Sequence, residues 1–77
     1  MSPSIDREYL VRRAIAVYLN SDSKVTTAGI AYNLKLSWNT AQIVKRALIE
    51  KGILDEAGGI DREKAIEYLE SRAKKRD

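Results

Sequence analysis

The chain has 77 residues, 44% hydrophobic and 32% charged, with a net charge of +3 and neither Cys nor His. That length holds one core and no second domain, and the apolar fraction is enough to fill it. Without Cys there is no disulfide framework or thiolate metal site, and without His the commonest metal ligand and neutral-pH base are both missing, so neither an enzyme nor a cofactor is expected. No apolar run approaches a membrane span, and the Met-Ser-Pro-Ser start lacks the apolar core of a signal peptide, so a cytoplasmic protein without membrane attachment is expected. Abundant charge with few Asn, Gln, Met and Cys is also the balance of a thermophile protein. The charge is unevenly spread: residues 21–51 carry five cations against two anions, whereas residues 52–63 set Arg62 against Asp55, Glu56, Asp61 and Glu63.

In chain order, Asp6 is placed to cap a first helix, with Ile5 and Leu10 as its hydrophobic staple. Leu10, Val11, Ala14, Ile15 and Tyr18 recur at helical spacing and form its core stripe, leaving Arg7, Arg12 and Arg13 outward. The polar run Asn20-Ser21-Asp22-Ser23 ends this helix, and Lys24-Val25 is long enough for a very short strand. Thr26 caps a second helix, with Val25 and Ile30 as staple pair, and Ile30, Ala31 and Leu34 share its inner face. Lys35-Leu36 makes a tight turn, Leu36 plugging it. Ser37 then caps a third helix whose Ala41, Val44 and Leu48 face inward. Gly52 stops that helix as a left-handed cap, and Ile53 packs back on its last turn. Only Ile53-Leu54-Asp55 and Gly59-Ile60 are available for a hairpin, through Glu56-Ala57-Gly58. Asp61 caps a fourth helix carrying Ala65, Ile66, Leu69 and Ala73 on one face and ending in the basic tail Arg72–Asp77. Ile-Asp-Arg-Glu at 5–8 and again at 60–63 is shared capping chemistry rather than a repeat.

Ile30-Ala31-Tyr32-Asn33-Leu34-Lys35-Leu36-Ser37 follows the run apolar, Ala, two polar, apolar, turn, apolar, Ser. In this it resembles the helix-turn-helix of the winged-helix and related DNA-binding regulators, of the small archaeal or phage type. Lys35 departs from the pattern, standing where the family usually has Gly to take a left-handed backbone. The resemblance implies a single winged-helix-like domain over 1–77: all-α, or α with a minimal β-wing, with a helix-turn-helix at 26–51 and a C-terminal helix at 61–76. A wing built from 53–60 would be vestigial, and its acidic charge would repel phosphate.

With Ala41, Val44 and Leu48 turned inward, Trp38, Asn39, Gln42, Ile43 and Arg46 face out. The resemblance implies that this face enters the major groove of double-stranded DNA. Asn39 and Gln42 match an adenine edge, and Arg46 reaches guanine or phosphate. Thr27, Ser37 and Thr40 offer hydroxyls to phosphate oxygens, and Lys35 and Lys45 add charge at the rim. Trp38 and Ile43, with Tyr32 nearby, also make an apolar anchor for a protein partner, in an accessory subunit of a replication or transcription complex. A third arrangement folds Trp38 over the second helix into the core. Ile66, Tyr68 and Leu69 are the candidates for a homodimer contact, with closure of the monomer's own core as their other use. The four acidic residues of 52–63 lack the spacing of a calcium loop and read as solvated charge rather than a metal site.

Overall fold

Residues 7–75 of the chain, with side chains to residue 70, are described by a computed structural model. They contain four helices: α1 (Arg7–Tyr18), α2 (Thr27–Leu34), α3 (Trp38–Glu50) and α4 (Arg62–Lys75). The Ile5–Asp6 start of the first helix and the side chains of Ala73 and the basic tail lie outside what is described.

Five of the helix ends have a local chemical cause. Thr26 has extended backbone, and its hydroxyl accepts from the Gly29 amide at 2.9 Å, which satisfies one of the amides left free at the start of α2. Ser37 does the same for α3 by accepting from the Thr40 amide at 3.2 Å. The Asp61 carboxylate accepts from the Lys64 amide at 3.1 Å at the head of α4. At the other end of α3, Gly52 has φ +78, and two bonds close the helix: Gly52 N–H to Ile49 C=O at 3.0 Å and Ile53 N–H to Leu48 C=O at 3.0 Å. That pair is the Schellman arrangement, and the buried Ile53 is the apolar residue that completes it.

The turn between α2 and α3 is also closed by a left-handed residue, here without a glycine. Lys35 has φ 59 and ψ 51, and Leu36 N–H reaches back to Ala31 C=O at 2.9 Å. A side chain in this left-handed region is disfavoured by about 1–2 kcal/mol, so the packing on either side must hold Lys35 there.

The core lies between α1, α2 and α3. Leu10, Val11, Ala14, Ile15 and Tyr18 come from α1, Ile30 and Leu34 from α2, and Ala41, Val44, Ala47 and Leu48 from α3. Val25, Ile53, Leu54 and Ala65 join the same cluster from outside those helices. No buried polar or charged side chain occurs among the described residues, so the cluster holds together by apolar burial alone. One polar bond borders it: Asn33 Nδ2 donates to Tyr18 Oη at 3.0 Å and ties α2 to the end of α1. Gly29 lets Tyr18 sit there, because a Cβ at that position would lie 2.6 Å from the Tyr18 hydroxyl oxygen.

Lys24-Val25 forms no strand. The Val25 amide instead donates a single bond to the Gly58 carbonyl at 2.8 Å. There is no strand among the described residues; Leu54 and Ile60 form one isolated antiparallel bridge. Two residues are too few to build a ladder here because the Asp55 carboxylate captures the backbone beyond them. It accepts from the Ala57 amide at 2.9 Å and the Gly59 amide at 2.8 Å, turning the chain before a second pair can form.

Candidate nucleic-acid interface

The side chains assigned to the outer face of α3 are where the spacing puts them. Trp38, Asn39, Gln42, Ile43 and Arg46 are exposed, while Thr40 and Lys45 are half-buried on the flanks. Asn39, Gln42, Ile43 and Arg46 stand at i, i+3, i+4 and i+7, so they form one continuous stripe along the helix. Trp38 is 54% exposed and Ile43 49%. Trp38 is therefore not a core residue folded over α2; it stands in solvent at the first position of α3, where a cap leaves little helix for it to lie against.

Thr27, at the first turn of α2, joins this face from the side. With Gln42, Lys45, Arg46 and Ile49 it lines an open depression of about 230 Å³ between the two helices. Four of the candidate polar residues thus converge on one concavity. The two hydroxyls at the α2–α3 turn are partly committed. Ser37 Oγ donates to Thr40 Oγ1 at 3.0 Å while accepting from the Thr40 amide, so its single donor is used within the cap. Thr40 keeps its own O–H to donate. Lys35 is exposed in the turn, its backbone fixed in the left-handed region.

Tyr32 projects from α2 on the side away from the core and is 83% exposed. It does not belong to the α3 stripe. Of the residues assigned to a self-contact, Ile66 is 43% exposed, but Tyr68 and Leu69 are half-buried and pack on the core. Tyr68 is further engaged within the molecule. Its hydroxyl donates to Glu8 Oε2 at 3.2 Å, and the Lys51 ammonium sits 5.2 Å from its ring centroid. Tyr68 and Leu69 thus contribute to closing the monomer's own core.

The acidic segment serves the backbone. The Asp55 carboxylate is held below its ordinary value, chiefly by the bond from Gly59, with Ala57, Gly58 and the charge of Lys24 acting in the same direction and desolvation opposing them. Asp61 caps α4. A hollow of about 430 Å³ lies between these two residues, lined by Gly52–Asp55 and Gly59–Asp61, and both of its carboxylates are already taken by amides. Among the described residues no group of three or more acidic side chains is arranged to hold a metal ion. No described helix is long and apolar enough to cross a membrane.

Two features were not anticipated from sequence. The Tyr18–Asn33 bond joins residues whose pairing depends on how α1 crosses α2, and nothing in their spacing announces it. The Asp55 loop did carry a signal: an Asp followed within four residues by Gly-Gly is turn chemistry, which a reading of Asp55 as solvated charge passes over. Compared with protein-family models, with curated proteins and with solved structures, the chain matches none.

Proposed function

We propose that this chain is a non-enzymatic DNA-binding protein, a small transcriptional regulator in which α2, the Lys35 turn and α3 act as a helix-turn-helix, with α3 lying in the major groove. One observation carries the reading: α3 is divided lengthwise, with Ala41, Val44, Ala47 and Leu48 buried and Asn39, Gln42, Ile43 and Arg46 exposed. A single helix backed by its own core and presenting a polar outer stripe is the element the major groove admits. In this reading Asn39 and Gln42 contact base edges and Arg46 a guanine or a phosphate. Thr27, Thr40, Lys35 and Lys45 hold the backbone on either side. Pairing of two chains or attachment to a larger nucleic-acid-processing assembly adds the contacts that a net charge of +3 leaves few of.

Titration of labelled duplex at low salt tests this directly. About three to five phosphate contacts give a log–log salt slope of about −3 to −5. Arg46→Ala and Asn39→Ala should weaken binding, and Asn39→Ala should also relax preference at one base pair. Absence of binding at tens of micromolar would reject the proposal. It would favour the second reading, a protein-interaction module, to which the exposure of Trp38, Ile43 and Tyr32 points.

A further inference from the structure

The α3 stripe has a composition that bears on which DNA it would take. Its four members are two carboxamides, one aliphatic side chain and one cation: Asn39, Gln42, Ile43 and Arg46, all exposed on consecutive turns. A carboxamide pairs bidentately with adenine through N7 and N6, whereas guanine is read best by Arg or Lys. Only Arg46 on the stripe can do the latter. Lys45 is half-buried and, by helical spacing, lies round the helix from the stripe, on its flank.

Ile43 is the informative member. It is 49% exposed although fully buried neighbours lie on the same helix, Val44 at 0% and Ala47 at 5%. Its apolar atoms sit between Asn39 and Arg46 on the stripe and adjoin Gln42. In the major groove the one apolar group on a base edge is the 5-methyl of thymine, and thymine is adenine's partner. A stripe that sets two carboxamides beside an aliphatic side chain is thus complementary to an A·T pair on both strands. The amide meets the purine and the isoleucine meets the methyl of a pyrimidine one step away or across.

We infer that α3 selects A·T-rich duplex DNA, with Asn39 and Gln42 reading adenine and Ile43 reading the 5-methyl group of thymine. This rests on the DNA-binding reading above. It adds a base class and assigns Ile43 as a specificity determinant.

The experiment compares three labelled duplexes of equal length at one salt concentration: A·T-rich, G·C-rich, and the A·T-rich sequence with every thymine replaced by uracil. Uracil keeps every hydrogen-bonding group and deletes only the methyl. The A·T-rich duplex is expected to bind about tenfold or more tighter than the G·C-rich one. The uracil duplex is expected to bind about three- to fourfold weaker for each methyl that Ile43 covers. Ile43→Ala should erase the thymine–uracil difference and keep the A·T preference. Because Ile43 is outside the core, its loss leaves the helical dichroism unchanged, which is checked on the same sample. Equal binding of thymine and uracil duplexes, or a difference that survives Ile43→Ala, overturns the inference while leaving DNA binding intact. No binding to any duplex overturns both.

Discussion

The three-helix part, residues 7–51, and the fourth helix, α4, are capped equally well and packed very differently. Ser37 and Asp61 perform the same capping task at the heads of α3 and α4, at 3.2 and 3.1 Å. Yet α1 buries Leu10, Val11, Ala14, Ile15 and Tyr18, whereas α4 buries Ala65 alone among its described side chains. Half-buried Tyr68 and Leu69 add to its hold, with the Tyr68–Glu8 bond and the Lys51 ammonium over the Tyr68 ring. Helix starts in this molecule are thus set by local side-chain chemistry, and helix attachment by apolar area, and the two vary independently. The candidate DNA-reading face stands on the well-packed part.

The sharpest way to break this contrast is truncation on each side of it. Leu48→Ala, at a site 1% exposed, should cost about 2–5 kcal/mol. Leu69→Ala, half-buried on α4, should cost about 1 kcal/mol. Urea denaturation of both variants decides it, and equal losses would mean that α4 is as much a part of the core as α3.

Gly29→Ala tests the seam between α1 and α2. Alanine ordinarily favours a helix over glycine by about 1 kcal/mol. Here the added Cβ meets the Tyr18 hydroxyl at 2.6 Å, so a net loss of about 1–3 kcal/mol is expected. Combined with Tyr18→Phe, which removes the oxygen, the same change should become nearly neutral. A double-mutant cycle without coupling would show that the seam yields freely.

Lys35→Gly should work in the opposite direction, raising stability by about 1 kcal/mol, since it relieves a left-handed backbone at φ 59. Thermal unfolding at fixed pH reads it out, and a fall in midpoint would place the turn's stability in the Lys35 side chain instead.

The smallest effect belongs to the loop that joins the two parts. Asp55 has its carboxyl held below the ordinary value of 3.8, mainly by the Gly59 amide, so the closed loop is fully present above that value. It opens as pH falls through the lowered folded value. The Ala57 and Gly59 amide shifts should titrate with a midpoint below 3.8 while those of Val44 and Leu48 stay fixed. A midpoint at or above 3.8 would contradict the bonding described.

What could be read from the sequence follows the same division. Thr26, Ser37, Gly52 and Asp61 announced their helix ends because a cap acts within four residues of itself. The buried stripes of α1 and α3 followed from helical periodicity, and so, by subtraction, did the exposed candidates from Trp38 to Arg46. Tyr68 resisted such reading because its partner Glu8 lies 60 residues away, and spacing within α4 cannot choose between a core contact and an outward one. The hairpin was correctly short in expectation. The reason for its shortness is the Asp55 carboxylate accepting from the Ala57 and Gly59 amides, for which the following Gly-Gly was the signal in the sequence.

The placement of Trp38 fixes what spectroscopy of this protein reports. The chain has one tryptophan, and it stands 54% exposed at the head of α3 rather than in the core. Its emission in the free protein is therefore that of an indole already largely in water, and denaturing the core changes its surroundings little. Covering the outer face of α3 changes them a great deal. Intrinsic fluorescence is thus a poor thermometer of folding here and a built-in sensor of occupancy, while buried Tyr18, seen by near-ultraviolet dichroism, is the chromophore that follows the fold.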